Sequence, residues 1–273
     1  MQPTVQDIAA ALGRPALLSA AVVEAGQNNL VLDAGDLIVR VPRHDRAEGD
    51  LMREARILAA LAPHLPLPVP APVLYRVGDR TVSAHSRLPG APLMSVAELD
   101  DARLRDLAGF LSALHRLPPA LLVPDTAPAD PLAEWRDMLG RAEAQALPLL
   151  PQHRGDGIRA RFHGFLSAGH DLPTTIIHGD FGTGNILADG GRVSGVIDFA
   201  GCGIGDPAYD FASLSAGLGD GILRRMAPHY PGIDGMRDRI GFYRGTFALM
   251  DVLFGLDHGD DEALQDGLAA LTA

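Results

Sequence analysis

Two short apolar stretches in the second half of the chain each end in groups suited to phosphate chemistry. The first reads Thr174-Thr175-Ile176-Ile177-His178-Gly179-Asp180-Phe181-Gly182-Thr183-Gly184-Asn185-Ile186-Leu187, and the second Val193-Ser194-Gly195-Val196-Ile197-Asp198-Phe199. A hairpin joining them would bring together the oxygen atoms of Asn185 and Asp198. That donor set suits a hard cation such as Mg2+, the usual companion of nucleotide phosphates. Asp180, beside such an ion, could accept or orient the proton of an attacking hydroxyl. Gly182 and Gly184 let the loop pass close to phosphate with no side chain in the way. A lone aspartate in a glycine-rich loop is most often a turn former bonded to its own backbone. The combination of His-Gly-Asp, asparagine five positions after the aspartate, and Ile-Asp-Phe beyond it favours chemistry instead. His178 reads as a brace of the loop, and Cys202 as a small buried filler.

A second constellation lies earlier. Between about Ala47 and Leu61, Leu51, Ala55, Leu58 and Leu61 share one face of a helix, and Glu54 projects within the same apolar arc. A carboxylate aimed at the interior needs a partner. Arg40 on the preceding strand is one candidate, since its alternation places it with Ile38, opposite Leu37, Val39 and Val41. Arg43, displaced by Pro42, is another. Either guanidinium could hold a carboxylate or a phosphate through two bonds at once, and either could equally be a surface charge. The turn containing Gly26 and Asn28 could offer amides to phosphate or be a plain hairpin connection.

Elements that would position these groups follow from periodicity. Residues 17–24, 30–34 and 37–41 read as strands, with a turn at Gly35-Asp36. The helix at 47–61 comes next, then a proline-rich run from Pro63 to Pro72, then strands at 73–77 and 81–86 around Gly78-Asp79. From Val96 onward helical patterns dominate, at 98–116, 131–147, 157–168, from about Phe211, and from Ile240 to the end. The chain is thus expected to be α+β, with a small β-rich N-terminal lobe (residues 1–88) and a larger helical C-terminal lobe (residues 89–273). No repeat of fixed period is present.

Composition removes several classes. The 273 residues carry 23 basic and 34 acidic side chains, a net charge of −11, which argues against a nucleic-acid partner. All the basic residues other than histidine are arginines, so any role usually filled by lysine must be met otherwise. One cysteine forms no internal disulfide, and no apolar run reaches the roughly 18 residues of a membrane span. The expectation is a cytoplasmic protein away from membranes, a monomer or weak homodimer. Residues 171–273 hold 15 acids against 6 arginines, a negative field that would draw a cation. Asp251, on the helical face of Phe247, Phe254 and His258, is the first candidate to meet such a cation. Asp257, Asp261 and Glu262 follow, although acids of this kind also simply solvate a surface.

These residues resemble the aminoglycoside phosphotransferase family of antibiotic kinases, and the likeness extends over nearly the whole chain. It runs from Gly26-Gln27-Asn28-Asn29 through Ile38-Val39-Arg40-Val41-Pro42-Arg43 to His178-Gly179-Asp180, Asn185, Ile197-Asp198-Phe199 and Gly205-Asp206-Pro207-Ala208-Tyr209-Asp210. The flanks and Gly255-Leu256-Asp257-His258-Gly259-Asp260 look most like the 2''-phosphotransferase branch. The resemblance implies a bilobal protein-kinase-like fold and transfer of phosphate from ATP or GTP to a hydroxyl, with Asp180 as catalytic base and Asn185 and Asp198 as Mg2+ ligands. It implies structural roles for His178 and Asp206, and a brace at a helix start for Asp210, which N-capping would also suit. Arg40 stands where many members carry a phosphate-gripping lysine. The expected acceptor is an aminoglycoside. A macrolide, a small alcohol such as homoserine or choline, and a nucleotide-binding protein without transfer activity are the alternatives. A protein kinase proper fits less well, since no long activation segment fits between Phe199 and Asp206.

Overall fold

A computed structural model describes residues 2–23, 28–95, 99–122, 130–168 and 172–273. The chain opens with a helix that periodicity had not indicated, α1 (Val5–Leu12), closed at its start by a reciprocal Thr4–Asp7 capping box. Pro15 then starts a 3-10 turn over Pro15–Ser19, so the first strand is only β1 (Ala21–Val23) and not the longer run expected from residue 17. β2 (Asn29–Asp33), β3 (Leu37–Pro42), α2 (Asp45–Leu61), β4 (Val73–Val77) and β5 (Arg80–Ser86) complete this part. The strands form one antiparallel sheet in the order β1-β2-β3-β5-β4. Of the turn expected to touch phosphate, Gly26 lies outside the described residues. Asn28 lies inside them, exposed, its carbonyl accepting the Arg43 amide at 2.9 Å.

Alternation along these strands sorts their side chains. Leu32, Val39 and Ala84 are paired neighbours in the register, all buried, and they pack with Ile8, Ala9 and Leu17. Arg40, one residue out of phase with them, pairs with Val31 and Ser83 on the opposite face, where it meets α2. Helix α2 starts at His44, whose ring Nδ1 accepts the Ala47 amide at 3.1 Å. It buries Leu51, Glu54, Ile57, Leu58 and Leu61, a three-to-four residue spacing. Its last turns, at Ile57, Leu58 and Leu61, belong to the apolar cluster of the C-terminal half, so this one helix leans on both halves.

The C-terminal half follows as β6 (Ala91–Pro92), α3 (Asp101–His115), α4 (Ala133–Arg141), α5 (Gln152–Ser167), β7 (Thr175–Ile177), β8 (Ile186–Asp189), β9 (Arg192–Val196), β10 (Gly203–Gly205), α6 (Ala208–Leu218), α7 (Gly221–Met226), α8 (Arg237–Arg244), α9 (Phe247–His258) and α10 (Asp261–Thr272). The continuous helix expected from Ile240 is broken at Gly245-Thr246 and again at Gly259-Asp260. A core of Phe110, Trp135, Phe162, Phe165, Phe242 and Tyr243 holds the helices together, with Phe165 and Phe242 stacked at 3.7 Å between ring centres.

Two small sheets carry the loops of interest. β8 and β9 form the expected hairpin, Ile186 opposite Val196, turning at Gly190-Gly191 with both residues at positive φ. β7 pairs with β10, Ile177 opposite Gly203, so the short stretch after Phe199 is itself a strand. The chain leaves β7 through Gly179, at φ 77°, whose Cα faces the Gly201 carbonyl so closely that a Cβ would collide with it. Gly179→Ala is therefore expected to lower stability by about 2 kcal/mol or more, seen as a lower Tm. Gly182→Ala is the control, since its Cβ would meet only Asp180 Oδ1 at 3.8 Å. Equal Tm values for the two variants would contradict this reading.

Candidate active site

The His178-Gly179-Asp180 turn is held from below by one carboxylate. Asp210, wholly buried in α6, accepts the His178 amide on Oδ2 and the Gly179 amide on Oδ1, both at 2.9 Å, and His115 Nε2 at 3.0 Å. Burial pushes the Asp210 carboxyl up, but these donors and the nearby His115 and His178 rings hold it below the ordinary aspartate value. Asp210 does not cap α6. The helix begins two residues earlier, and the acid at its start is Asp206, whose Oδ1 accepts the Ala208 amide at 3.0 Å. Asp206 is fully engaged, taking Arg239 Nε at 2.6 Å and the Tyr243 hydroxyl at 3.0 Å.

His178 is buried, and burial lowers its pKa, so its ring is neutral. Nδ1 accepts the Asp180 amide at 3.3 Å, and Nε2 lies 3.2 Å from the Ile197 carbonyl. The ring thus ties the Asp180 turn to the segment that carries Asp198. The β8–β9 hairpin makes the second tie, with Ile197 donating its amide to the Asn185 carbonyl at 2.8 Å. Asn185 in turn donates Nδ2 to Asp180 Oδ2 at 2.7 Å and to the Asp180 carbonyl at 3.0 Å, which leaves its amide oxygen uncommitted. Asp180, Asn185 and Asp198 are thus gathered by one hairpin and one histidine. Asp198 is the non-glycine among the described residues with positive φ, 62°. A bulky residue would be strained there, and aspartate is among those that tolerate it.

Asp180 is open to solvent, yet protein surrounds it on its other sides, and that partial burial raises its pKa against the pull of Asn185, with Asp198 and Asp210 adding repulsion. The uncommitted Asn185 oxygen and the Asp198 carboxylate, carried on segments tied by the Ile197–Asn185 backbone bond, are hard oxygens of the kind a divalent cation prefers. Among the described residues no cluster of three or more His, Cys, Asp or Glu side chains forms an alternative metal site.

Arg40 and Glu54 meet as alternation and amphipathicity led one to expect, Nη1 to Oε2 at 2.6 Å. Glu54 pairs with Arg40 rather than with Arg43, whose side chain is exposed. The other Glu54 oxygen accepts the Phe199 amide at 3.0 Å, so this carboxylate joins the sheet to the residue after Asp198. Sequence reasoning missed its neighbour Arg53, which donates to the carbonyls of Cys202 at 2.7 Å and Ala200 at 3.3 Å. The signal was available, since Arg53 adjoins Glu54 on the same helix.

A cavity of about 280 Å³ opens beside this turn, lined by Gly179 and Gly201 and walled by Trp135, Tyr209, Tyr243, Met138 and Met250. Its acids are Asp206 and Glu134. The acids expected to meet a cation do not line it. Asp251 is exposed on α9 and faces Asp266, whose charge together with partial burial raises its pKa. Asp257 is paired with Arg141 at 2.6 Å, and Asp261 and Glu262 lie in the first turn of α10, where acids favour a helix start. The face that Asp251 shares with Phe254 and His258 is an outer one, where those two rings are exposed and stack at 4.3 Å between centres.

Residues 19–240 match the Phosphotransferase enzyme family (APH). Viomycin phosphotransferase of Streptomyces vinaceus is 33% identical over 264 residues, covering 90% of this chain and 91% of that protein. A homoserine kinase of Methylobacterium sp. (strain 4-46) is 32% identical over 199 residues, covering 65% of this chain and 56% of its own length. Among solved structures, the GDP complex of wild-type aminoglycoside 2'-phosphotransferase-IIIa superposes with a TM-score of 0.87 at 22% identity, over 98% of this chain and 95% of that one. The family match spans most of the sequence, including every element that builds the Asp180 turn, and on that ground this chain belongs to the phosphotransferase enzyme family.

Proposed function

We propose that this phosphotransferase moves the γ-phosphoryl group of ATP or GTP to a hydroxyl of a small cationic molecule in the cytoplasm. In this reading residues 1–88 hold the nucleotide and residues 89–273 hold the acceptor. The observation that carries it is the gathering of Asp180, Asn185 and Asp198 by one hairpin, with Glu54 linking Arg40 to the Phe199 amide. Asp180 orients the acceptor hydroxyl and takes its proton. Arg40, fixed by Glu54, steadies the phosphates, with Arg43 and the amides near Gly26 and Asn28 at the margin. Asn185 Oδ1 and the Asp198 carboxylate would hold Mg2+, which when bound offsets phosphate charge. With so little covalent work for the protein, positioning and charge account for the rate.

The likenesses to viomycin phosphotransferase and aminoglycoside 2'-phosphotransferase support acceptors of those kinds. The likeness to homoserine kinase supports a second reading, a small amino alcohol. Incubation with Mg2+ and ATP or GTP against viomycin, aminoglycosides, a macrolide, homoserine and choline, scored by nucleoside diphosphate release and mass of the product, tests both. Release with none of them would overturn the cationic acceptor.

Two variants test the assigned roles. Asp180→Asn is expected to lower kcat by about 10²- to 10⁴-fold while nucleotide affinity, measured by calorimetry, stays near wild type. Equal loss of both would make Asp180 a structural acid. Glu54 behaves differently. Burial outweighs the Arg40 charge, and Asp198 adds repulsion, so the Glu54 carboxyl stands above its ordinary value. A raised carboxyl binds its proton more tightly in the folded state, so stability falls as pH rises through the folded value and the acid ionises. Glu54→Gln is thus expected to leave Tm near neutral pH unchanged or higher. It should raise the nucleotide KM by about tenfold, the size of losing one charge-assisted bond. A wild-type KM would remove Glu54 from nucleotide binding.

A further inference from the structure

The cavity beside Gly179 holds one feature that the roles above leave unused. Glu134, in the first turn of α4, lines it and has no hydrogen-bond or ion-pair partner among the described residues. Its fellow acid in the lining, Asp206, is already matched by Arg239 and the Tyr243 hydroxyl. Around Glu134 the walls are flat and apolar, with Trp135 and Tyr209 at 6.3 Å and Trp135 and Tyr243 at 5.1 Å between ring centres. Thioethers of Met138 and Met250 and the aliphatic Ile204, Ile177 and Leu172 complete the lining.

We infer that this cavity is the anchoring subsite for an ammonium or amidinium-type cation carried on a flat or apolar shoulder, with Glu134 as its counter-ion and Trp135, Tyr209 and Tyr243 as its walls. A carboxylate in such surroundings gains most by pairing with a cation, and ring faces attract the same charge. The electrostatics agree with the geometry. Burial raises the Glu134 pKa although solvent reaches the residue, the condition of a group in a recess. The cavity also communicates with the reaction centre. Gly179 is shared between the lining and the turn that ends in Asp180, and the Tyr209 phenol, pushed up to about 12 chiefly by burial, feels the charges of both Glu134 and Asp180. The occupant is therefore the cationic end of the acceptor, an identification that rests on the phosphoryl-transfer reading. The site then selects one compact charge beside an apolar surface, not a spread of amines.

The chain contains a single tryptophan, Trp135, which lines the cavity, so its fluorescence reports binding directly. Benzamidine, a flat ring bearing a cation, and benzamide, its neutral counterpart, are the probes. Benzamidine is expected to change Trp135 emission saturably, with benzamide at least tenfold weaker. Glu134→Gln should lose at least tenfold of the benzamidine affinity and leave benzamide unaffected, and Glu134→Asp should recover part of it. Because Glu134 is exposed, both variants are expected to keep the wild-type Tm, which excludes unfolding as the cause. Equal binding of the two probes, or wild-type benzamidine affinity in Glu134→Gln, would overturn the subsite. In the active enzyme benzamidine should compete with the acceptor and not with nucleotide. Glu134-dependent binding without any phosphate transfer would keep the cation site and remove the function assigned to it. Transfer without Glu134-dependent binding would do the reverse.

Discussion

The proposed reaction centre hangs on one buried carboxylate beneath the His178-Gly179-Asp180 turn. Asp210 has no exposure to water, and an isolated charge there would be costly by several kcal/mol. Three N–H donors, two from the backbone of His178 and Gly179 and one from His115, answer that cost and keep the group ionised. The same bonds fix two consecutive peptide groups, and so the direction in which the next residue, Asp180, leaves β7. The His115 ring is itself held, by the Tyr230 hydroxyl at 2.9 Å. The turn is thereby bolted to α3 and α6 at once, with its glycine held close against the Gly201 carbonyl.

Glu54 is a second buried carboxylate with the opposite balance. It has two donors, Arg40 and the Phe199 amide, and it also faces the charge of Asp198. Burial, aided by the Asp198 charge, outweighs its two donors and leaves its pKa above normal, whereas the donors and rings around Asp210 outweigh burial and leave that one below. Asp210 is therefore a stabilising fixture, and Glu54 a strained link whose expense is tolerated for what it connects. α2 starts against the sheet and ends in the C-terminal core, and at its midpoint Arg53 and Glu54 grip the Asp198 loop from two adjacent positions, one through carbonyls and one through an amide. A shift of α2 would move Arg40 and the loop after Asp198 together.

What the sequence disclosed was whatever local spacing determines. Asp180, Asn185 and Asp198 lie within one hairpin and its flanks, so their convergence needs no knowledge of distant packing. Arg40 and Glu54 were legible because alternation and helical period each single out one side chain on a face. Other features depended on competition between signals. Pro15 starts a 3-10 turn that takes in residues 17–19, whose apolar run resembles strand. Asp210 is the brace expected at a helix start, in the first turn of α6, but it does not cap that helix, because Asp206, two residues before the helix, takes the Ala208 amide. Arg53 and Glu134 were passed over because a charged residue on a helix gives no local sign of which carbonyl or cavity it will face.

The charge excess of residues 171–273 misled for a related reason. Counting charge along the chain assumes that neighbours in sequence share a field, but pairing is decided in space. Asp206, Asp220, Asp234 and Asp257 are each met by an arginine, three of them from the same segment and one, Arg141, from the electrically neutral stretch before it. Apart from the buried Asp206–Arg239 pair, these are exposed pairs that contribute little to stability, yet each one cancels a charge that would otherwise act at a distance. Glu134, in the cavity lining, and Asp180, at the end of the turn beside it, have no arginine partner among the described residues, and the charges of both act on Tyr209. Both are open to water and both are raised by the protein around them. Under the proposed reading, a single carboxylate in such a recess selects where one positive group of the acceptor sits rather than how many the ligand carries.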